Sequence, residues 1–359
     1  MSKPTATIKQ QPSDFHVAEQ LGFAPSGQGE HLWCYVEKTG LNTAYLKREW
    51  ARLLACAQKD IAHSGLKDRH AVTCQWLSLP AKYGTYLPDS GEGWRILTRA
   101  HNDRKLRIGT HRANEFTLIL RDVQGERAAI DHALAALAHD GFANLFGDQR
   151  FGHHNLQKAR HWVERGELPK KHDERALVLS VLRADCFNAQ LQARMAANTL
   201  HTPQAGDRAL LRGSNSHFLI ESVDETLLER LHSGDIALGG WLPGKENKAL
   251  PPATQTWLDN ADAATQAAVH YLCRHADSGW RAFTVRAQNL HHDWQDAHTL
   301  SLTFTLPRGS YATALLAALF TIHGKQADIK KRSKCCVFYT DKRFSLYSRS
   351  HCHRHYAMR

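Results

Sequence analysis

The sequence predicts an α+β protein, and three observations lead there. Some stretches alternate apolar and polar residues with a period of two, as in Val72-Thr73-Cys74-Gln75-Trp76 and Leu302-Thr303-Phe304-Thr305-Leu306. Others repeat apolar residues at helical spacing, as in Ala44, Leu46, Trp50, Leu53, Leu54 and Ala57. The two kinds are interspersed along 359 residues, a length that suits two domains with ordinary cores.

In chain order, Pro12-Ser13 marks a turn, and Phe15 and Val17 open the first alternating strand. A glycine-containing loop over 22–31 leads to a second strand at Leu32–Glu37. Asn42 or Thr43 caps the helix over 44–57, after which the chain leads on to Ile61. Gly65 then supplies a turn. Val72, Cys74 and Trp76 fall on one face and Thr73 and Gln75 on the other, which reads as a half-buried strand. Asp68 therefore lies on a short loop entering a strand, with Lys67 and Arg69 beside it. Adjacent cations favour the ionised carboxyl, and an ionised carboxylate on an anchored loop can serve as nucleophile or base. The local pattern equally fits an aspartate that only caps a turn.

The densest cationic segment of the body spans 95–112: Arg95, Arg99, Arg104, Lys105, Arg107 and Arg112. Such a strand or hairpin suits a phosphate backbone, or is a solvated charged face. A strand at Phe116–Leu120 and a helix over 128–139 follow, with Gly141 ending the helix. The run Asn144-Leu145-Phe146-Gly147-Asp148-Gln149-Arg150-Phe151-Gly152 sets two aromatics, an amide and a guanidinium between glycines. That composition fits a base pocket, where an aromatic stacks and an amide reads a base edge; a buried aromatic turn is the plainer reading.

Leu156 to Met195 reads as helix interrupted by Gly166 and Pro169. Leu210–Val223 suggests strands, Leu238–Pro252 a Gly/Pro-rich loop and Thr256–Trp280 helix. Ser310 is placed to cap a helix carrying Leu315, Leu316, Leu319 and Phe320, and Gly324 to end it.

The net charge of +11 asks for an anionic partner, but ten Lys/Arg and two Asp/Glu crowd into residues 325–359. That segment holds +8 and leaves +3 for the rest, so binding to nucleic acid has to be argued from local clusters. The start is polar, and the longest apolar run, near Ala312–Ile322, is too short to span a bilayer. Eight cysteines without CxxC spacing argue for reduced thiols in a cytoplasm, and no familiar zinc spacing appears, Cys352 and its neighbours His351, His353 and His355 included.

Two stretches resemble the tRNA pseudouridine synthase D (TruD) family. Gly65-Leu66-Lys67-Asp68-Arg69-His70-Ala71-Val72-Thr73 is similar to its catalytic motif, and Asn144 to Gly152 to its second motif. The opening Lys9–Glu19, the Arg104-Lys105-Leu106-Arg107 segment and the Gly309-Ser310-Tyr311-Ala312-Thr313 turn are also similar, so the resemblance covers about residues 9–324. It implies a pseudouridine-synthase catalytic domain, with a mixed, mainly antiparallel sheet flanked by helices, built from 1–152 and 304–324. It further implies an inserted α/β TRUD domain over 153–303 that forms the far wall of an RNA cleft. A basic, flexible tail over 325–359 lies beyond it.

The implied activity is conversion of uridine to pseudouridine in tRNA, at uridine 13, by a monomer that needs no cofactor or metal. The resemblance makes Asp68 the catalytic carboxylate, held ionised by Lys67 and Arg69, with Lys9 nearby. Phe15 and Phe146 would confine the uracil, Asn144 would hydrogen-bond near it, and Lys67 would contact substrate. Arg69, Arg104, Lys105, Arg107 and Arg150 are RNA contacts on this reading, Gln149 and Arg150 also steadying their loop. Two other classes share these residues: an RNA-binding or RNA-chaperone protein without catalysis, and a carboxylate-based nucleoside hydrolase.

Overall fold

Two sheets of unequal size organise the chain in the computed structural model, which describes residues 3–324 apart from 153, 215, 247 and 248. The larger has eleven strands, and its main path runs Gln288–Trp294, Leu300–Pro307, Ala113–Gln124, Phe15–Gln20, Val72–Pro80, His31–Thr39, Trp94–Asn102, Ser90–Gly91. Thr5–Ile8 pairs with Ala113–Gln124, and Ala62–His63 pairs with Val72–Pro80. Pairing is antiparallel except between Phe15–Gln20 and Val72–Pro80 and between Thr5–Ile8 and Thr321–Gly324. This is the mixed, mainly antiparallel sheet that the family resemblance implied.

The helices cover this sheet through the residues their periodicity marked. Thr43–Leu53 buries Leu46 and Trp50 against Cys34, Val36, Leu77 and Leu79, and the Asn42 side chain accepts from the Tyr45 N–H at 2.7 Å. Arg127–Asp140 buries Ile130, Leu134 and Leu137. It ends at Gly141, at φ 81°, where a Cβ would lie 2.7 Å from the Val285 carbonyl oxygen. Only glycine tolerates both demands.

The smaller sheet is antiparallel, in the order His217–Leu219, Arg208–Leu211, Ile236–Leu242, Gly279–Ala282. The helices Asn155–Arg165, His172–Ala196 and Ala263–His275 pack with it around Val181, Leu182, Trp241 and Leu272. A two-stranded ladder, Phe142–Ala143 with Thr284–Val285, joins the two parts.

Several local expectations are corrected. Val72–Pro80 is not half-buried: it lies inside the sheet, and Thr73 and Gln75 are fully buried, the Gln75 amide oxygen accepting from the Thr43 hydroxyl at 2.9 Å. Ile236–Leu242 is a strand where a loop was expected. Gly239 and Gly240 disguise it, since a Cβ on either would run into Leu210 or into Phe187 and Phe283. The helical reading of 256–280 resolves into Pro252–Asp259 and Ala263–His275, followed by the strand Gly279–Ala282. The cationic stretch is a strand only over Trp94–Asn102.

Ser310 does not cap the last helix; Tyr311 is its N-cap and makes no side-chain cap bond. That helix ends at Leu319 rather than Gly324. Thr321–Gly324 instead pairs in parallel with Thr5–Ile8, which offers an open edge. Gln288–Trp294 already belongs to the large sheet, ahead of the expected return at residue 304. We propose a division that follows this pairing, with the insertion ending near residue 286. The basic tail, residues 325–359, lies outside the described residues. Among those described, no helix is long and apolar enough to cross a membrane.

Candidate active site

The loop over 64–68 is held at each end and in the middle by buried polar side chains. The Ser64 hydroxyl accepts from the His111 backbone N–H at 2.7 Å, and its carbonyl accepts from the Gly109 N–H at 2.8 Å. The Gly65 carbonyl accepts from the Gln75 amide at 3.3 Å, and the Lys67 N–H donates to the Thr43 hydroxyl at 3.0 Å. The Asp68 carbonyl accepts from the Lys38 ammonium at 3.0 Å. Thr43, Gln75 and Lys38 come from a helix start and two central strands, so the most regular part of the fold fixes the loop.

Two side chains leave this packing, Leu66 and Asp68. The Asp68 carboxylate is 38% exposed and pairs with the Lys9 ammonium at 2.9 Å, while the Lys9 side chain is 4% exposed. Lys9 sits at φ 57° just past the Thr5–Ile8 strand, and its ammonium lies 4.0 Å from the centroid of the Phe15 ring. Phe15 is itself a core residue, edge-on to Phe116 at 6.2 Å, so it both packs the sheet and floors the site.

The cations adjacent in sequence do not hold Asp68, contrary to expectation. Lys67 turns inward to Glu19, 2.6 Å away, and the Arg69 Nε donates to the Gly40 carbonyl at 3.0 Å. The reason is desolvation. Glu19 has no exposed side-chain surface and requires a partner; Lys67 and the Trp76 N–H, at 2.9 Å, supply its hydrogen bonds. Burial still pushes the Glu19 carboxyl above its usual range, the Lys67 charge acting the other way. Burial also lowers Lys38 to about 8, with the charge of Asp68 opposing.

His111 and His63 are both lowered to about 4, first by burial and then by neighbouring cations. The Ser64 hydroxyl and His111 Nδ1 share a hydrogen bond at 2.6 Å. Folded-state values below the unfolded one give stability that is present above about pH 6.5 and lost as pH falls toward 4. The denaturant midpoint of the protein is expected to fall between pH 7 and pH 5, and less so for His111→Asn.

The second motif forms its own cluster. Asn144 is buried; its amide N–H donates to the Ala282 carbonyl at 2.9 Å, and its side-chain oxygen accepts from Arg281. Arg281 covers Phe146, 4.1 Å from guanidinium to ring centroid, and donates to the Gly309 carbonyl at 3.0 Å. Burial lowers Arg281 to about 10, which leaves it cationic at neutral pH. Arg150 points into this cluster, to the Ser180 hydroxyl at 2.9 Å and the Tyr311 hydroxyl at 3.3 Å. Phe146 meets Tyr311 edge-on at 6.2 Å. The turn over 307–311 connects this cluster to the Asp68 loop: Arg308 donates to the carbonyl of Gly109, whose N–H holds Ser64.

A family model described as tRNA pseudouridine synthase D (TruD) matches residues 4–168 and 167–319. The chain belongs to that family. A tRNA pseudouridine synthase D of Proteus mirabilis is 35% identical over 338 residues, 91% of this chain and 95% of its own length. Another of that name, from Pectobacterium atrosepticum, is 34% identical and covers 90% of this chain and 94% of its own. A solved structure named as a TruD-type synthase, from Methanosarcina mazei, aligns with TM-score 0.64 over 89% of this chain and 94% of its own. Its identity of 17% speaks for the fold alone. TruD membership makes the chain an enzyme, a pseudouridine synthase of the isomerase class.

Within this TruD fold, the structure joins Lys9, Phe15, Asp68 and Lys67 at one end of the sheet, and Asn144, Phe146 and Arg150 in the neighbouring cluster. Arg69, Arg104, Lys105 and Arg107 are exposed; Lys105 reaches the Lys59 carbonyl at 2.6 Å. Sequence reasoning missed Glu19, Lys38, His111, Arg281 and Tyr311 as parts of the site. It also missed His16, Glu37 and Cys74, whose donor atoms lie within 4.8 Å of one another on the face opposite Glu19 and Lys38. Of these, Glu37 is already held by Arg95 at 2.7 Å.

Proposed function

We propose that the protein isomerises uridine to pseudouridine in tRNA, at uridine 13, with Asp68 as the catalytic carboxylate. The observation that carries this reading is the Lys9–Asp68 pair, one reachable carboxylate on a loop otherwise clamped by buried groups. In the reaction the C1′–N1 glycosidic bond breaks, the uracil turns, C5 bonds to C1′ and the C5 proton moves to N1. Atoms and charge balance without a cofactor. Asp68 either adds to C1′ or takes a proton from C2′; both need a carboxylate, and the Lys9 ammonium pairs with it at 2.9 Å.

The uridine has to leave its stack to reach Asp68, at a cost of a few kcal/mol. Phe15 and Phe146 offer apolar surface to the extruded ring. Asn144 has both ends of its amide engaged by protein, so it acts by shaping the turn that presents Phe146. Arg69, Arg104, Lys105 and Arg107 are the exposed groups suited to the RNA backbone, and recognition then follows tRNA shape. Arg150 serves the cluster rather than the backbone.

Incubation of the purified protein with unmodified tRNA, followed by digestion to nucleosides, tests this reading. Pseudouridine is expected, with no free uracil. Release of uracil would identify a hydrolase, and bound but unchanged tRNA an RNA-binding protein without chemistry.

A further inference from the structure

Among the described residues, three large apolar side chains stand far more exposed than any other: Ile108 at 82%, Leu66 at 75% and Tyr86 at 75%. Two of the three flank the catalytic loop. Leu66 lies within it, two residues before Asp68. Ile108 immediately precedes Gly109, whose backbone N–H holds the Ser64 carbonyl. Both therefore ride on segments fixed to the same anchor, and neither contributes to an apolar core cluster. An isolated exposed leucine needs no explanation, but a rigidly mounted pair beside a reactive carboxylate does.

Their surroundings specify the partner. Arg69 and Arg107 are exposed within three residues of Leu66 and Ile108, and the exposed Arg308 bonds the Gly109 carbonyl. Apolar tips set among guanidinium groups match a base stack bounded by phosphates. The cations hold the backbone on either side, and the apolar tips fit between bases, where they replace lost stacking.

We infer that Leu66 and Ile108 form an apolar wedge that enters the RNA base stack and fills the gap left when the target nucleotide swings toward Asp68. The inference rests on the function proposed above and adds the group that opens the stack. Neither side chain takes part in bond making; both act on how often the nucleotide is available.

The test uses the full chain, the Leu66→Ser, Ile108→Ser double variant and two RNAs. One is folded tRNA; the other has its target uridine already unstacked by mismatched neighbours. Each carries 2-aminopurine beside the target in a parallel preparation. The wedge predicts a single-turnover rate about tenfold or more below wild type on folded tRNA, with affinity changed less than about threefold. It predicts near wild-type rates on the unstacked RNA. The 2-aminopurine fluorescence should rise when wild type binds folded tRNA and stay low with the variant. An equal defect on both RNAs, no defect on either, or undiminished fluorescence with the variant would overturn the wedge. Absence of product from wild type on both RNAs would instead count against the proposed function, and the fluorescence would still report on the wedge. Both side chains are exposed, so the variants are expected to fold, which the thermal midpoint checks.

Discussion

Asp68→Asn is expected to abolish pseudouridine formation while the protein still binds tRNA. The amide keeps the shape of the carboxylate, so the loop bonds to Lys38, Thr43 and Gln75 stay in place. What disappears is the negative charge and its basicity. An amide neither adds to C1′ nor takes a proton from C2′, and the loss should be about 10³-fold or greater in single-turnover rate. Affinity for tRNA should stay within about tenfold, because a group that works in the transition state contributes little to ground-state binding. Filter binding and single-turnover nucleoside analysis on the same preparation separate the two quantities. The substitution also deprives the buried Lys9 ammonium of its counter-ion, so Lys9→Met with Asp68→Asn should be more stable than Asp68→Asn alone.

The largest effect on stability is expected for Lys67→Met. Glu19 and Lys67 are 0% and 8% exposed in their side chains and 2.6 Å apart. Removing the ammonium leaves a carboxylate in the interior with only the Trp76 N–H as donor, a change that costs about 3–5 kcal/mol. The pH dependence gives it a signature. Burial already raises Glu19 above its unfolded value of 4.5, and without Lys67 nothing as strong opposes that rise. A carboxyl raised on folding gives stability that is complete below the unfolded value and lost as pH rises through the folded one. The deficit of Lys67→Met relative to wild type should therefore shrink between pH 8 and pH 5. A deficit independent of pH would mean that Glu19 is ionised throughout in the variant.

The elements that sequence revealed are those whose signal is local. Asn42 caps its helix, Gly141 ends another at positive φ, and Phe15–Gln20 and Leu300–Pro307 pair as their alternation implies. The alternating run after Asp68 was legible in the same way, whereas the role expected of Asp68 came only from the family resemblance, and Gly65 makes its bend without a positive φ.

What alternation cannot report is whether the polar face of a strand meets water or other polar groups. Lys38, Thr73 and Gln75 look like solvent-facing residues in sequence, yet all three are buried, and Lys38 and Gln75 hold the loop. The same blindness assigned Lys67 to Asp68. Neighbours in sequence were read as neighbours in space, while the demand of the buried Glu19 drew Lys67 away and Lys9 came in across 59 residues. Gln288–Trp294 escaped notice because it is mostly exposed and shows no period of two, so only its pairing reveals it. Arg281 carried no local sign at all; its role comes from the packing of Phe146 and the 309–311 turn around it.

The central claim is that the Asp68 carboxylate, set by Lys9, meets the ribose of an extruded uridine. A structure of Asp68→Asn bound to unmodified tRNA tests it most directly. The account predicts the target uridine turned out of its helix, with C1′ about 3–3.5 Å from the side-chain oxygen at position 68 and the ring against Phe15 and Phe146. A uridine still stacked in the tRNA, or seated against another part of the surface with Asp68 facing only solvent, would contradict it.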